Sequence, residues 1–337
     1  MPAATATAAP AAHSIVLVAD SVSGDGASND TNGSSGGQHD AKTDNGQGST
    51  AKNVDRGRNN QQDATAKNGG VAKNKAGSDT HGNTEVANAG GTDSVAKNRV
   101  REESAHNQLN AFARGGGTAT NDVNGNRNNV FTGANRGGTA STDIDGNRNN
   151  VFTGANRGGT ASTDIDGNRN NVFTGANRGG TASTDIDGNR NNVFTGADRG
   201  GTATTKIDGN RNTVTNLAQG TGSTSTAKAI GNGNVVDSTA KNGGDAKATG
   251  VNGSTASATA QGADSKARSL AINGASATSK ASGGDTARAI AYGSGATATA
   301  DSTATGNKAN CQVDRNNGSV DVAYAQTSNG GFCLKFG

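Results

Sequence analysis

Tryptophan is absent from this 337-residue chain, methionine occurs once, and tyrosine and proline twice each. Valine, isoleucine, leucine and phenylalanine together make only 40 residues. That share is well below the roughly 20% at which an ordinary domain can offset the entropy of ordering its chain, so a conventional enzyme core is excluded. With two prolines beside 53 glycines, collagen and proline-rich linkers are excluded too. Charge is nearly balanced, 31 basic against 28 acidic residues, which leaves no strong field for nucleic acid or an anionic membrane. No apolar run reaches the 18 residues or so of a membrane-spanning helix; the longest is Ile15 to Ala19. That stretch is too short, and its flank too poor in basic residues, for a signal peptide, although the Ala-rich start is compatible with a processed export signal. Composition alone makes residues 1–48 a disordered tail.

What the chain has instead is a repeat. GNRNNVFTGANRGGTASTDID spans 125–145 and recurs unchanged at 146–166 and 167–187. A fourth copy at 188–208 carries Asp198, Thr204 and Lys206, a decayed copy starts at Gly209, and 104–124 aligns upstream without a gap. Ala-Lys-Asn recurs at 51–53, 66–68, 72–74, 96–98 and 240–242, and alternating small residues fill the C-terminal third. Repeats of 20 to 50 residues indicate stacked architectures. Each unit divides into two strands: Thr139–Asp145 alternates with Ala140, Thr142 and Ile144 on one face, and Asn150–Ala155 is the second. Turns fall at 146–149 and 156–159, where Gly and Asn tolerate positive φ.

These features predict an all-β fold: an elongated β-solenoid with two short strands per 21-residue coil and a narrow core lined by Ala, Ser, Thr and Val. The segments expected are degenerate coils over 49–103, the regular array over 104–229, Ala/Thr/Gly-rich coils over 230–309 and a C-terminal cap over 310–337. One stretch, Val95 to Phe112, is open: Ala105, Leu109 and Phe112 have helical spacing, so a short helix and a degenerate coil both fit.

Chemistry is sparse. Four scattered histidines supply no nucleophile–base pair, so no catalytic residue, cofactor or enzymatic activity is expected. Asp143-Ile144-Asp145-Gly146 has the core of a calcium loop, but Ser141 and Phe152 stand where its end ligands belong, so no metal site is assigned. Charge balance accounts for the aspartates, with Asp145 three residues from Arg148. Arg-Gly-Gly at 136–138 and its copies lacks the surplus charge of RNA-binding boxes, so nucleic acid is not an expected partner. Cys311 and Cys333 can form a disulfide stapling the cap, which implies an oxidising compartment; two reduced thiols remain the alternative.

Binding surfaces are the remaining option. If Val151 faces inward, Phe131, Phe152, Phe173 and Phe194 form an exposed aromatic ladder, a surface for a ligand or for other copies of the chain. If phenylalanine faces inward, the ladder is core packing. Thr139, Thr160, Thr181 and Thr202, each followed two residues on by Ser or Thr, form hydroxyl rows. They resemble the Thr-x-Thr arrays of β-solenoid ice-binding proteins, and that resemblance implies ordering of water; the adjacent Asp143, Asp164 and Asp185 depart from it. Residues 289–309, AIAYGSGATATADSTATGNKA, resemble the head repeats of trimeric autotransporter adhesins, which implies a solenoid surface protein. The functional expectation is a secreted or cell-surface, non-enzymatic structural or adhesive element able to self-assemble into fibres. Ice binding and a disordered secreted polymer are the alternatives.

Overall fold

The computed structural model describes residues 19–24, 26–31, 35–44, 48–302, 308–314, 322–327 and 331–336; at 19–20, 322–327 and 331–336 it describes the backbone alone. These residues form thirty strands and no helix. Alternate strands belong to alternate sheets, giving two fifteen-stranded parallel sheets that wind as one β-solenoid. Every strand but the last of each sheet hydrogen-bonds to the strand one coil later. In the regular array Thr139 pairs with Thr160, and Asn150 with Asn171, 21 residues on. Some coils upstream of the array are longer, as where Val71 pairs with Val95 and Thr84 with Gln108, 24 residues on.

Period-two alternation sets what enters the core. In each regular coil Ala140, Thr142 and Ile144 face Val151, Thr153 and Ala155, all nearly fully buried. No side chain larger than isoleucine is needed because the sheets lie close together. From about residue 227 the buried side chains are mostly alanine and serine, with Val236 and Val313 among them. Burial alone contributes little per coil; most stabilisation comes from satisfied backbone ladders.

The buried threonines add an internal hydrogen-bond chain. Hydroxyls of Thr132, Thr142, Thr153, Thr163, Thr174, Thr184, Thr195 and Thr205 alternate between the sheets, 2.7 to 2.9 Å apart. Thr132 donates to Asn121 at one end, and Asn216 donates to Thr205 at the other, at 3.0 Å. Beyond Asn121 the chain continues as an asparagine ladder, with Asn121 donating to Asn98, Asn98 to Asn74 and Asn74 to Asn53. Thr163→Val keeps the side-chain shape but leaves Thr153 and Thr174 each short of one partner. It is expected to lower stability by about 1–2 kcal/mol, read as faster amide exchange in the coils on either side.

Two expectations change. The tail expected to be disordered over 1–48 contains strands Ala19–Ser23, Ala27–Asp30 and Ser35–Thr43; residues 1–18 lie outside the described residues. Polar pairing, which composition does not register, holds these strands. His39 sits 2.9 Å from Asp55 with both fully buried, and Asn53 donates to Asn29 at 3.0 Å. The helix considered for Val95 to Phe112 is replaced by strands Val95–Val100 and Gln108–Arg114, joined through a corner in which Glu103 and His106 take positive φ. Leu109 is buried opposite Val130, whereas Phe112 turns outward, so their helical spacing carries no shared face.

The described residues of the C-terminal segment extend the stack. Lys308–Asp314, Val322–Thr327 and Gly331–Phe336 continue the two sheets. Cys311 is buried and disulfide-bonded, and Cys333, the chain's other cysteine, is its partner in backbone register.

Candidate binding surfaces

Val151 faces inward, so Phe152 faces outward, and Phe131, Phe152, Phe173 and Phe194 are 36 to 39% exposed. Their rings stack with centroids 4.9 to 5.0 Å apart and interplanar angles of 2 to 5°. Isolated rings prefer an offset or an edge-to-face contact; here the strand spacing imposes the parallel stack. Glycine two residues on makes room for it. A Cβ at Gly154 would lie 3.0 Å from Cε1 of Phe152, so the ring lies flat across a strip of bare backbone at Gly133, Gly154, Gly175 and Gly196.

The stripe is closed at both ends by residues the repeat does not contain. Phe112 occupies the glycine register before Gly133 and stacks on Phe131 at 5.3 Å. Leu217 occupies the same register after Gly196. Beside the rings runs an apolar groove of about 700 Å³ reaching Leu217, Ala218 and Ala240. The reading of the sequence missed Phe112, Leu217 and the glycine strip; the glycine two residues after each phenylalanine was the available signal.

On the other sheet, Thr139, Thr160, Thr181 and Thr202 are exposed and in register, with the Ser141, Ser162, Ser183 and Thr204 row beside them. The next outward row is acidic: Asp122, Asp143, Asp164 and Asp185, then Lys206. Burial raises the Asp143 pKa; Arg101 opposes this, and the like charges of Asp122 and Asp164 push it further up. Cations close the row at both ends. Arg101 bridges Asp122 at 2.9 Å and Asp143 at 3.4 Å, and Lys206 reaches Asp185 at 3.0 Å.

Charge balance by Asp145–Arg148 pairs does not occur. Among the described residues, neither Asp145 nor its copies form an ion pair with the corner arginines; Asp145 instead accepts from Asn124 at 3.3 Å.

Among the described residues, no three His, Cys, Asp or Glu side chains gather as a metal site, and no helix is long and apolar enough to cross a membrane. Compared with known proteins, the chain matches no family model, no curated protein and no solved structure.

Proposed function

We propose that this chain is a non-enzymatic extracellular structural or adhesive repeat protein that associates side by side with further copies of itself through the phenylalanine stripe. The observation that carries this reading is the stripe: six apolar side chains from Phe112 to Leu217, contiguous along six coils and bordered by an apolar groove. Soluble monomers seldom leave so continuous an apolar strip in water. A rigid stack presents it as a straight edge, which a second copy can match along its length. The disulfide-bonded Cys311 suits an oxidising compartment, and the likeness of 289–309 to adhesin head repeats favours a surface location.

Combining Phe131→Ser, Phe152→Ser, Phe173→Ser and Phe194→Ser is expected to abolish assembly while leaving the β-sheet circular dichroism intact. Each ring buried on association contributes roughly 1–2 kcal/mol, so the dissociation constant should rise about a thousandfold or more. Sedimentation and electron microscopy read the outcome; unchanged assembly in the quadruple variant rejects the reading. Thermal hysteresis in the same preparations would favour the ice-binding alternative through the Thr139 to Thr202 rows.

A further inference from the structure

The corner opposite the groove beside the phenylalanines carries a second ladder. Arg127, Arg148, Arg169, Arg190 and Arg211 stand one per coil, all exposed, each with φ of 59 or 60°. That left-handed conformation suits glycine or asparagine and strains any other residue. Elsewhere along the stack positive-φ glycine takes such corners, as at Gly82 and Gly233. The repeat therefore keeps arginine where the backbone would be easier to build with glycine; Arg136, Arg157, Arg178 and Arg199 do the same at the other corner, with φ of 50 to 52°, so the surroundings of the five, rather than the strain, single them out.

The five guanidinium groups are also uncommitted. Among the described residues none forms an ion pair or a side-chain hydrogen bond, unlike Arg99, Arg101 and Arg199. They line a groove of about 1010 Å³, together with an asparagine ladder and, at one end, His81 and His106; no carboxylate lines it. The asparagines are held rigid, because each accepts at Oδ1 from the backbone of the preceding coil: Asn147 N–H donates to Asn168 at 2.8 Å, and Asn168 N–H to Asn189 at 2.8 Å. The result is a row of cations, one per coil at the strand spacing of about 4.8 Å, flanked by amides whose Nδ2 keeps one N–H beyond its ladder bond for a hydroxyl group.

We propose that this groove binds a linear acidic polysaccharide, a polymer with one sulfate or carboxylate per one or two sugars, lying along the solenoid axis. Regular charge on a straight, hydroxyl-rich chain matches a regular row of guanidinium and amide groups. Single-stranded nucleic acid fits less well, since it binds through aromatic platforms for its bases and this groove offers only two imidazoles at one end. The proposal stands apart from lateral assembly, because the phenylalanines and these arginines occupy different surfaces.

The test measures binding of the full chain to dextran sulfate, neutral dextran and an oligo-thymidine across a salt series. The expected result is binding to dextran sulfate alone. It weakens at least tenfold in Arg148→Gln/Arg169→Gln/Arg190→Gln, and the slope of log affinity against log salt falls by about three. The matching triple at the other corner, Arg136→Gln/Arg157→Gln/Arg178→Gln, should change affinity less than twofold. A second triple, Arg148→Gly/Arg169→Gly/Arg190→Gly, removes the strained side chains and guards against loss of fold; it should lose binding with an unchanged or higher thermal midpoint. The quadruple phenylalanine variant should keep binding. Equal loss from both corners, tighter binding of the oligo-thymidine, or equal binding of neutral dextran would overturn the proposal.

Discussion

Replacing Gly146 by alanine is expected to open the stack at that coil, at a cost of roughly 3 kcal/mol or more. Gly146 has φ +146°, and a Cβ there would lie 2.0 Å from the carbonyl oxygen of Gly167 in the next coil. That carbonyl has no freedom to withdraw, since it also accepts from Asn149 Nδ2 at 2.8 Å. The same contact recurs at Gly125, Gly167 and Gly188, so the corner is a column of backbone packed on backbone. Gly158, at the opposite corner, is the control. Its φ is +73°, but nothing lies within 4 Å of the site of a Cβ, so alanine there should cost only about 1 kcal/mol of backbone strain. Because each coil contacts only its neighbours, amide exchange should rise locally around 125–190 for Gly146→Ala before the whole stack melts. Equal effects at the two glycines would show that positive φ, rather than the close approach, sets the cost.

Glu85→Gln is expected to stabilise the N-terminal coils at alkaline pH. Glu85 is fully buried, accepting from Gln62 Nε2 and the Lys75 backbone, each at 3.1 Å. Burial pushes its pKa from 4.5 up to about 8; the hydrogen bond from Gln62 opposes the rise, and the negative charge of Asp55 adds to it. The folded state thus holds a proton that the unfolded chain releases. Stability is full below about pH 4.5 and is lost as the pH climbs to about 8, because over that interval the unfolded state ionises while the folded state does not. Each pH unit costs ~1.4 kcal/mol, on the order of 4–5 kcal/mol across the window. Glutamine does not titrate, so the variant and the native chain should be alike near pH 4.5 and diverge steadily to pH 8. Urea melts monitored by exchange of the 71–100 amides would read the difference; a pH-independent gap would assign the effect to packing. Asp55, nearby, moves the other way. Although its own burial opposes the shift, hydrogen bonds with His39, Gly57 and Asn60 hold its pKa below the usual value.

Glu85 also shows how far residue pattern reaches. It shares an inward column with Leu109, Val130 and Val151, so alternation alone places it inside. Composition argues the reverse for the N-terminal region, because a tally of polar residues is blind to partners. His39 and Asp55 are buried as a hydrogen-bonded pair, and Gln62 donates to Glu85, which tolerates burial by keeping its proton.

The sequence by itself determined the coil: its 21-residue period, two strands per turn, the inward triplet Ala140, Thr142 and Ile144, and the outward place of Phe152 once Val151 is inside. These follow from local rules, since a strand alternates with period two and Gly and Asn accept the backbone angles of corners. Only the tertiary structure decided which atoms of successive coils meet. Phe112 and Leu217 close the aromatic stripe because both fall on the glycine register. The threonine hydroxyls form one chain because inward side chains of the two facing sheets meet at hydrogen-bond distance. Asp145 and Arg148, three residues apart and opposite in charge, form no ion pair: Asp145 accepts from Asn124, and Arg148 lines the groove. Those outcomes depend on contacts one coil away and on corner angles, and nearness along the chain specifies neither.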